Sequence, residues 1–276
     1  MAPEARDEDI FLATLPEPPA TPVVVSVPHA GTATLGFAGP LAADLDVRCD
    51  ADLFVDELYD GSATGAYVRA RLSRFVCDFN RHADDVSARA VPEHPAPRNL
   101  DGRGFLWEVT TRGTRALARP LALAEWEARR DAHAAYHGAL AQALDRARAR
   151  FGFAILVDGH SMPSVGREGH TDTGHARADI VPGDRSGSSC APALSRLVGE
   201  HFAGHGLRVA FNDPYKGGFI TAHHGQPTAG IHAIQIEMRR DLYMDEVAFQ
   251  RLPEPMARLR AVLAELLRKL DGFDPR

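Results

Sequence analysis

The chain has 276 residues with a net charge of −6, and 45% of its residues are hydrophobic. This length and composition predict a soluble globular protein, and the acidic balance argues against nucleic-acid binding. No apolar run approaches the roughly 20 residues that a membrane helix needs, and the charged N-terminus lacks a signal-like apolar core. Three scattered cysteines do not make a disulfide framework, which favours a reducing cytoplasm.

Predicted strands and helices alternate along the chain. In order they are a strand at 21–27, a helix at 50–59, strands at 67–71 and 74–79, a helix at 121–150, a strand at 153–157, a helix at 191–205, strands at 207–211 and 231–237, and a helix at 249–270. The alternation predicts an α/β fold of three layers (α/β/α) with a mixed, mainly parallel sheet. We see neither a repeat nor a linker, so residues 1–276 are predicted to form a single domain.

The predicted connections are uneven in length. Residues 1–20 are acidic and rich in proline, which predicts an extended lead-in. The polar segments 82–104 and 162–189 are longer than most connections in compact domains, and 212–230 is a glycine-rich loop. Loops as long as the first two are commonly functional lids or disordered.

Polar side chains follow several of the predicted strands. His29 and His160 each come after a buried apolar run, and Glu237 ends the last strand. Two imidazoles and one carboxylate are typical ligands of a catalytic zinc, with Asp52 and Asp56 as nearby carboxylates. Glu237 is then a candidate general base, and Arg81, after Asn80, a candidate grip on a substrate carboxylate. The pattern predicts metal-assisted hydrolysis of an amide in a small acidic molecule.

Other interpretations of these residues stay open at this stage. His29 and His160 could be hydrogen-bonded histidines without a metal, and Asp52 could be a helix N-cap. Glu237 and Arg81 could be members of structural ion pairs. Ser161 lacks the Gly-x-Ser-x-Gly elbow of a serine hydrolase, and Lys216-Gly-Gly lacks the Walker pattern of a phosphate loop.

Taken together, the motifs resemble those of the N-formylglutamate amidohydrolase (deformylase) family over residues 22–250. They are, in order, Ser26-Val-Pro-His29-Ala-Gly31, Asp50-Ala-Asp52, Arg74-Phe-Val-Cys-Asp78-Phe-Asn80-Arg81, Asp158-Gly-His160-Ser161, Tyr215-Lys216-Gly217-Gly218-Phe-Ile-Thr221 and Gly230-Ile-His232-Ala-Ile-Gln235-Ile-Glu237-Met-Arg239-Arg240. The resemblance implies a phosphorylase/hydrolase-like fold similar to the zinc carboxypeptidases. It also implies cleavage of N-formyl-L-glutamate to formate and glutamate in histidine degradation.

The resemblance implies roles for particular residues. One Zn²⁺ per chain would be held by His29, Asp52 and His160, with Asp56 as the fallback for Asp52. Glu237 would be the general base. The expected substrate contacts are Asn80, Arg81, Lys216, Thr221 and Arg239, and Arg81 and His224 are also assigned to catalysis.

One segment departs from the family pattern. Where family members read Ile-Thr-Arg-His-Tyr-Gly, this chain has Ala222 for the Arg and His224 for the Tyr. The change removes one candidate grip on the substrate, and His224 could replace the tyrosine hydroxyl at an oxyanion. The alternatives are therefore a metallo-hydrolase of another N-acyl amino acid or a small peptide, and a catalytically degenerate binding module. The oligomeric state is not predicted.

Overall fold

A six-stranded sheet forms the centre of the structure, a computed structural model that describes residues 10–59, 65–98 and 101–275. Its strands are β1 (Phe11–Thr14), β2 (Val23–Val27), β3 (Ala66–Ala70), β4 (Ala154–Met162), β5 (Ile180–Gly183) and β6 (Ile231–Arg239). They lie in the order β1-β3-β2-β4-β6-β5. The inner four strands are parallel, and β1 and β5 pair antiparallel at the edges. The predicted mixed, mainly parallel sheet is confirmed.

Helices cover both faces of this sheet. They are α1 (Val55–Tyr59), α2 (Leu123–Phe151), α3 (Pro192–Gly204), α4 (Phe219–His224) and α5 (Pro253–Asp271), and a small hairpin joins β7 (Met244–Asp245) to β8 (Gln250–Arg251). Successive strand residues point to opposite faces. Val24 and Leu156 pack in the core beneath α2, whereas Val25 and Val157 pack in the core formed with α1, α3 and α5. This arrangement confirms the three layers and explains why the central strands are apolar throughout.

None of the helices in the described part of the chain combines the length and the apolar character needed to cross a bilayer.

Residues 74–79, predicted as a strand, form turns instead. Three α2 side chains donate hydrogen bonds to carbonyl oxygens in this region: Arg129 to Val76 (3.1 Å), His133 to Arg81 (2.9 Å) and His137 to Phe79 (2.8 Å). The donors are four residues apart, so they share one face of the helix. The apolar run is buried because it crosses under α2, and helix side chains satisfy the carbonyls that a partner strand would satisfy in a sheet.

The predicted helix at 50–59 begins only at Val55. Phe54 has a φ of 66°, in the left-handed region, which is incompatible with a right-handed helix. The preceding turn sends two carboxylates inward. Asp50 accepts a hydrogen bond from the Thr111 amide (2.9 Å), and Asp52 faces the histidines described below.

Short elements account for the other differences. Strand β1 lies within the predicted lead-in 1–20, of which residues 1–9 fall outside the described residues. Strand β5 lies in the predicted loop 162–189, and α4 in the predicted loop 212–230. The predicted strand 207–211 makes only one bridge, from Val209 to Ile180. Runs of four to six residues carry too few periods for the sequence pattern to distinguish them from loops.

The close packing of β4 against α1 gives a stability prediction. A Cβ at Gly159 would lie 2.4 Å from a ring carbon of Tyr59, which is fully buried. We expect Gly159→Ala to lower the free energy of unfolding by about 1–3 kcal/mol through overpacking. The matched control is Gly138→Ala in α2, where nothing lies within 4 Å of the new Cβ and a gain of about 0.5–1 kcal/mol is expected. Urea unfolding of both variants checks this, and equal stabilities would contradict it.

Candidate active site

Two histidines and one aspartate converge at the carboxyl ends of β2 and β4. His29 follows β2, His160 lies in β4, and their ring centroids are 4.8 Å apart. Asp52 is tied to the end of β2 because its amide donates to the His29 carbonyl (2.9 Å). Its Oδ2 lies 3.6 Å from His29 Nδ1 and 3.2 Å from His160 Nδ1. The structure thus brings together the three predicted metal ligands, all of them buried.

The other ring nitrogen of each histidine is held by a buried carboxylate. His29 Nε2 lies 2.7 Å from Asp78 Oδ1, and His160 Nε2 lies 3.0 Å from Asp158 Oδ2. Donation from each Nε2 leaves the Nδ1 of a neutral ring available to bind a cation on the side of Asp52. His29 Nδ1 has no hydrogen-bond partner among the described residues, although it is buried. A buried, unpaired nitrogen beside a second nitrogen and a carboxylate oxygen fits a divalent metal, and the carboxylates behind the rings complete a common metal-site arrangement.

Buried charge around the histidines points the same way. Five buried carboxylates and three largely buried guanidinium groups lie here: Asp50, Asp52, Asp78, Asp158 and Glu237, with Arg74, Arg167 and Arg240. When all are ionised, these eight groups leave two negative charges in excess, one of which is balanced when His160 is protonated. Buried charges need compensation, and one divalent cation would supply it.

Asp52 and His160 face each other and form a buried ion pair. Burial works against ionisation of Asp52, but the hydrogen bond from His160 and the charge of Arg240 hold its pKa well below the usual value. Burial also opposes protonation of His160, yet Asp158 and Asp52 raise its pKa well above the usual value. The negative charge of the pair therefore lies on Asp52 and the positive charge on His160.

Glu237 lies next to this cluster on β6, opposite His160 in the strand register. Its Oε1 accepts a hydrogen bond from Gln235 Nε2 (3.0 Å). Burial raises the pKa of Glu237 to about 7, although the positive charge of His160 partly offsets that rise. The three predicted ligands and Glu237 line one cavity of about 550 Å³. A carboxylate that titrates near neutrality can act as a general base there.

Three basic residues of the cavity are free to meet an anionic ligand. Arg81, Arg103 and Lys216 line it and form no ion pair within the described part of the chain. Arg81 and Lys216 were predicted, whereas Arg103 was missed inside the loop 82–104. The feature that could have indicated Arg103 is the glycine at 169. A Cβ at Gly169 would lie 2.2 Å from Arg103 Nη1, so the absence of a side chain there makes room for the guanidinium group.

The structure separates the remaining predicted residues. Asn80 lines the cavity, and its Nδ2 lies within 3.2 Å of His160 Nε2. Asp56 pairs with Arg69, and it is not a member of the cluster for which it was the fallback. Arg239 pairs with Asp179 and Asp241, and its neighbour Arg240 lines the cavity instead.

Two predicted residues of α4, Thr221 and His224, also lie outside the cavity lining. The Thr221 hydroxyl donates to the Gly218 carbonyl (3.0 Å). His224 Nε2 lies 3.0 Å from His137 Nδ1, and burial lowers the pKa of His224 to about 4. Since His137 Nε2 donates to the Phe79 carbonyl, its Nδ1 must accept from His224. The His224 ring therefore supports the segment beneath α2, which favours a structural role over the predicted catalytic one.

Comparison with known proteins agrees with this picture. A model of the N-formylglutamate amidohydrolase family matches residues 21–244. The N-formylglutamate deformylases of Pseudomonas aeruginosa and Pseudomonas putida are 34% and 33% identical over 260 and 263 residues, covering 90% of this chain and 92% of each relative. These matches define the class of the chain, a hydrolase that cleaves amide bonds. More particularly, the chain belongs to the N-formylglutamate amidohydrolase family.

Solved structures show the same fold. The crystal structure of N-formylglutamate amidohydrolase from Ralstonia eutropha matches with a TM-score of 0.86 at 33% identity, covering 96% of this chain and 98% of that one. A gene product from Agrobacterium tumefaciens, 23% identical, shares the fold with a TM-score of 0.66 over 96% of this chain and 95% of that one.

The hydrogen bond between His224 and His137 gives a prediction that separates support from catalysis. We expect His224→Leu to lower the free energy of unfolding by about 1–3 kcal/mol, because buried His137 Nδ1 loses its donor. His224→Gln, whose amide can still donate, should recover most of that loss. Both variants should keep a kcat close to wild type in an amidohydrolase assay. A loss of about 10²–10³ in kcat would instead place His224 at an oxyanion.

Proposed function

We propose that the protein is a zinc-dependent deformylase that hydrolyses N-formyl-L-glutamate to formate and L-glutamate. The relatives that carry the name N-formylglutamate deformylase support the reaction. The observation that carries the metal assignment is the convergence of His29 Nδ1, His160 Nδ1 and Asp52 Oδ2 in a buried cluster, beside Glu237. Two nitrogens and one oxygen, with one position open, are the usual donors of a single catalytic zinc.

Glu237 is the general base in this proposal. Zinc held by the cluster would supply Lewis acidity that polarises the amide carbonyl and lowers the pKa of water in the site. The Glu237 carboxylate takes a proton from the attacking water, whose oxygen forms the new bond to the formyl carbon. The same carboxyl group then gives the proton to the amide nitrogen as the C–N bond breaks. Formate and the amine of glutamate leave, and Glu237 is ionised again.

The free cations account for the substrate charge. N-formylglutamate carries two carboxylates, and Arg81, Arg103 and Lys216 are the lining cations without an acidic partner in the described residues. Arg74 and Arg240 are already neutralised by Asp78 and Asp52. We infer that the three free cations bind the carboxylates and that Asn80 helps to orient the amide.

The proposal extends to the cellular setting. The three cysteines are buried and free, which agrees with a reducing compartment. We therefore retain a cytoplasmic location and a role in histidine degradation as predictions.

Two substitutions separate metal binding from proton transfer. His160→Ala should lose both tightly bound zinc and activity, because it removes a ligand. Glu237→Gln should keep about one equivalent of zinc at the cavity and lose about 10²–10⁴ in kcat, because the amide cannot accept the proton. Elemental analysis and a formate-release assay measure the two quantities. Full activity and full zinc content in His160→Ala would refute the metal assignment.

A third substitution tests the substrate charge. We expect Arg103→Met to lower kcat/KM for N-formylglutamate by about 10- to 100-fold, the worth of one hydrogen bond to a charged group. Lys216→Met is the parallel variant. Exposed Arg130→Met, on α2 away from the cavity, is the matched control.

N-formylglutamine and other N-acyl amino acids complete this test. The substitution that removes the cation bound to the side-chain carboxylate should leave kcat/KM for N-formylglutamine unchanged, because that substrate lacks this carboxylate. If wild-type protein hydrolyses another N-acyl amino acid faster than N-formylglutamate, the substrate assignment is wrong while the chemistry stands.

A further inference from the structure

A second group of metal-ligating side chains lies away from the cavity, between α3 and α5. His201 lies in the last turn of α3, His205 follows the end of that helix, and Glu265 comes from α5. One ligand atom from each lies within 4.8 Å of the other two. His205 Nε2 is 3.3 Å from Glu265 Oε2, and the two imidazole centroids are 4.9 Å apart. Histidines four residues apart near one helix end, with a carboxylate from a neighbouring helix, are a common arrangement for a transition metal.

The buried member of the group is already oriented. His201 Nε2 donates to the Val262 carbonyl (2.9 Å), so its Nδ1 carries the lone pair. Burial lowers the pKa of His201, which keeps the ring neutral at pH 7. His201 is buried, whereas the His205 and Glu265 side chains are 35% and 39% exposed. The hydrogen-bonded His201 ring would fix the position of an ion. The partly exposed His205 and Glu265 side chains would let the ion enter from solvent.

A positive charge already lies among these donors. Lys269 Nζ is 3.1 Å from His201 Nδ1 and 2.9 Å from Glu265 Oε1. The ammonium group therefore bridges two of the three ligands. The Lys269 side chain is 48% exposed, so it can move into solvent when another cation arrives.

We propose that His201, His205 and Glu265 form a second divalent-metal site, which binds Zn²⁺ in place of the Lys269 ammonium group and ties α3 to α5. Two nitrogens and one carboxylate oxygen suit zinc, with solvent at the remaining position. The site shares no residue with the catalytic cavity, so it stands or falls independently of the proposed deformylase activity.

Zinc stoichiometry of the full chain tests the proposal. Protein stripped with a chelator is titrated with zinc, and bound zinc is counted for wild type and for His205→Gln. The variant should bind one equivalent less than wild type and keep its deformylase activity. With zinc in the cavity, wild type should bind two equivalents and His205→Gln one. If the cavity fails to bind zinc, wild type should bind one equivalent and His205→Gln none, so the difference of one remains. His175→Gln, at an exposed histidine outside both clusters, is the control that should bind as wild type.

Two further measurements check the geometry. Lys269→Met should tighten zinc binding at this site by about two- to fivefold, because a partly exposed competing cation is removed. Added zinc should raise the melting temperature of wild type more than that of His205→Gln, because zinc at this site binds only the folded state. Equal stoichiometry in wild type and His205→Gln, or weaker binding in Lys269→Met, would overturn the proposal.

Discussion

The carboxylate of Asp52 is the buried charge on which the arrangement of the site depends. One oxygen faces both histidines, and the other accepts hydrogen bonds from Arg240 (3.0 Å) and Ser161 (3.3 Å). A carboxylate shielded from water is stable only with such partners. Four separate segments must therefore fold correctly before Asp52 can be buried: the turn that carries it, the ends of β2 and β4, and the short helix Arg240–Leu242 after β6. The same requirement that stabilises the fold assembles the ligands.

Helix α2 holds the remaining wall of the site without entering it. Asn80 lies between two residues whose carbonyls are bound by His133 and His137. Its own side chain accepts from the Ile220 amide (2.8 Å) and lies 3.3 Å from Gln235 Oε1. The backbone of this crossing segment is thus fixed from the helix side, and its side chains are left to face the cavity. A region that is neither helix nor strand can then be well positioned, because hydrogen bonds from α2, Ile220 and Gln235 hold its backbone and the Asn80 side chain.

The sequence predicts the parts of the fold that depend on local pattern. The buried strands β2, β4 and β6 and the long helices α2, α3 and α5 follow from apolar runs and helical periodicity. His29, His160 and Glu237 follow because ligand groups collect at the carboxyl ends of parallel strands. What could not be predicted depends on contacts between distant segments. The Arg239 and Arg240 pair shows this, since neighbouring arginines of one motif contact different aspartates, Asp179 and Asp52.

Other differences have the same origin. Residues 74–79 have the composition of a strand, but α2 competes for their carbonyls. His224 has the chemistry of a catalytic residue, yet its ring is used by His137. Arg103 has no pattern around it that distinguishes it from a surface arginine, and only the space at Gly169 shows that it turns inward. In each case the deciding contact comes from a residue far away in the sequence, so the local pattern does not reveal it.

The hydrogen-bond partners of the histidines also predict which of the two clusters binds zinc more tightly. His29 and His160 each have a buried carboxylate behind Nε2, whereas the Nε2 of His201 meets a neutral carbonyl. An ionised partner makes the ring more basic and adds negative charge near the ion, which strengthens metal binding. The cavity cluster also has three buried carboxylates next to its ligands, Asp78, Asp158 and Glu237, while Lys269 already balances Glu265. Zinc added to the stripped protein should therefore fill the cavity before the site between α3 and α5. The order follows from the partners behind the rings, since both clusters offer the same two nitrogens and one oxygen.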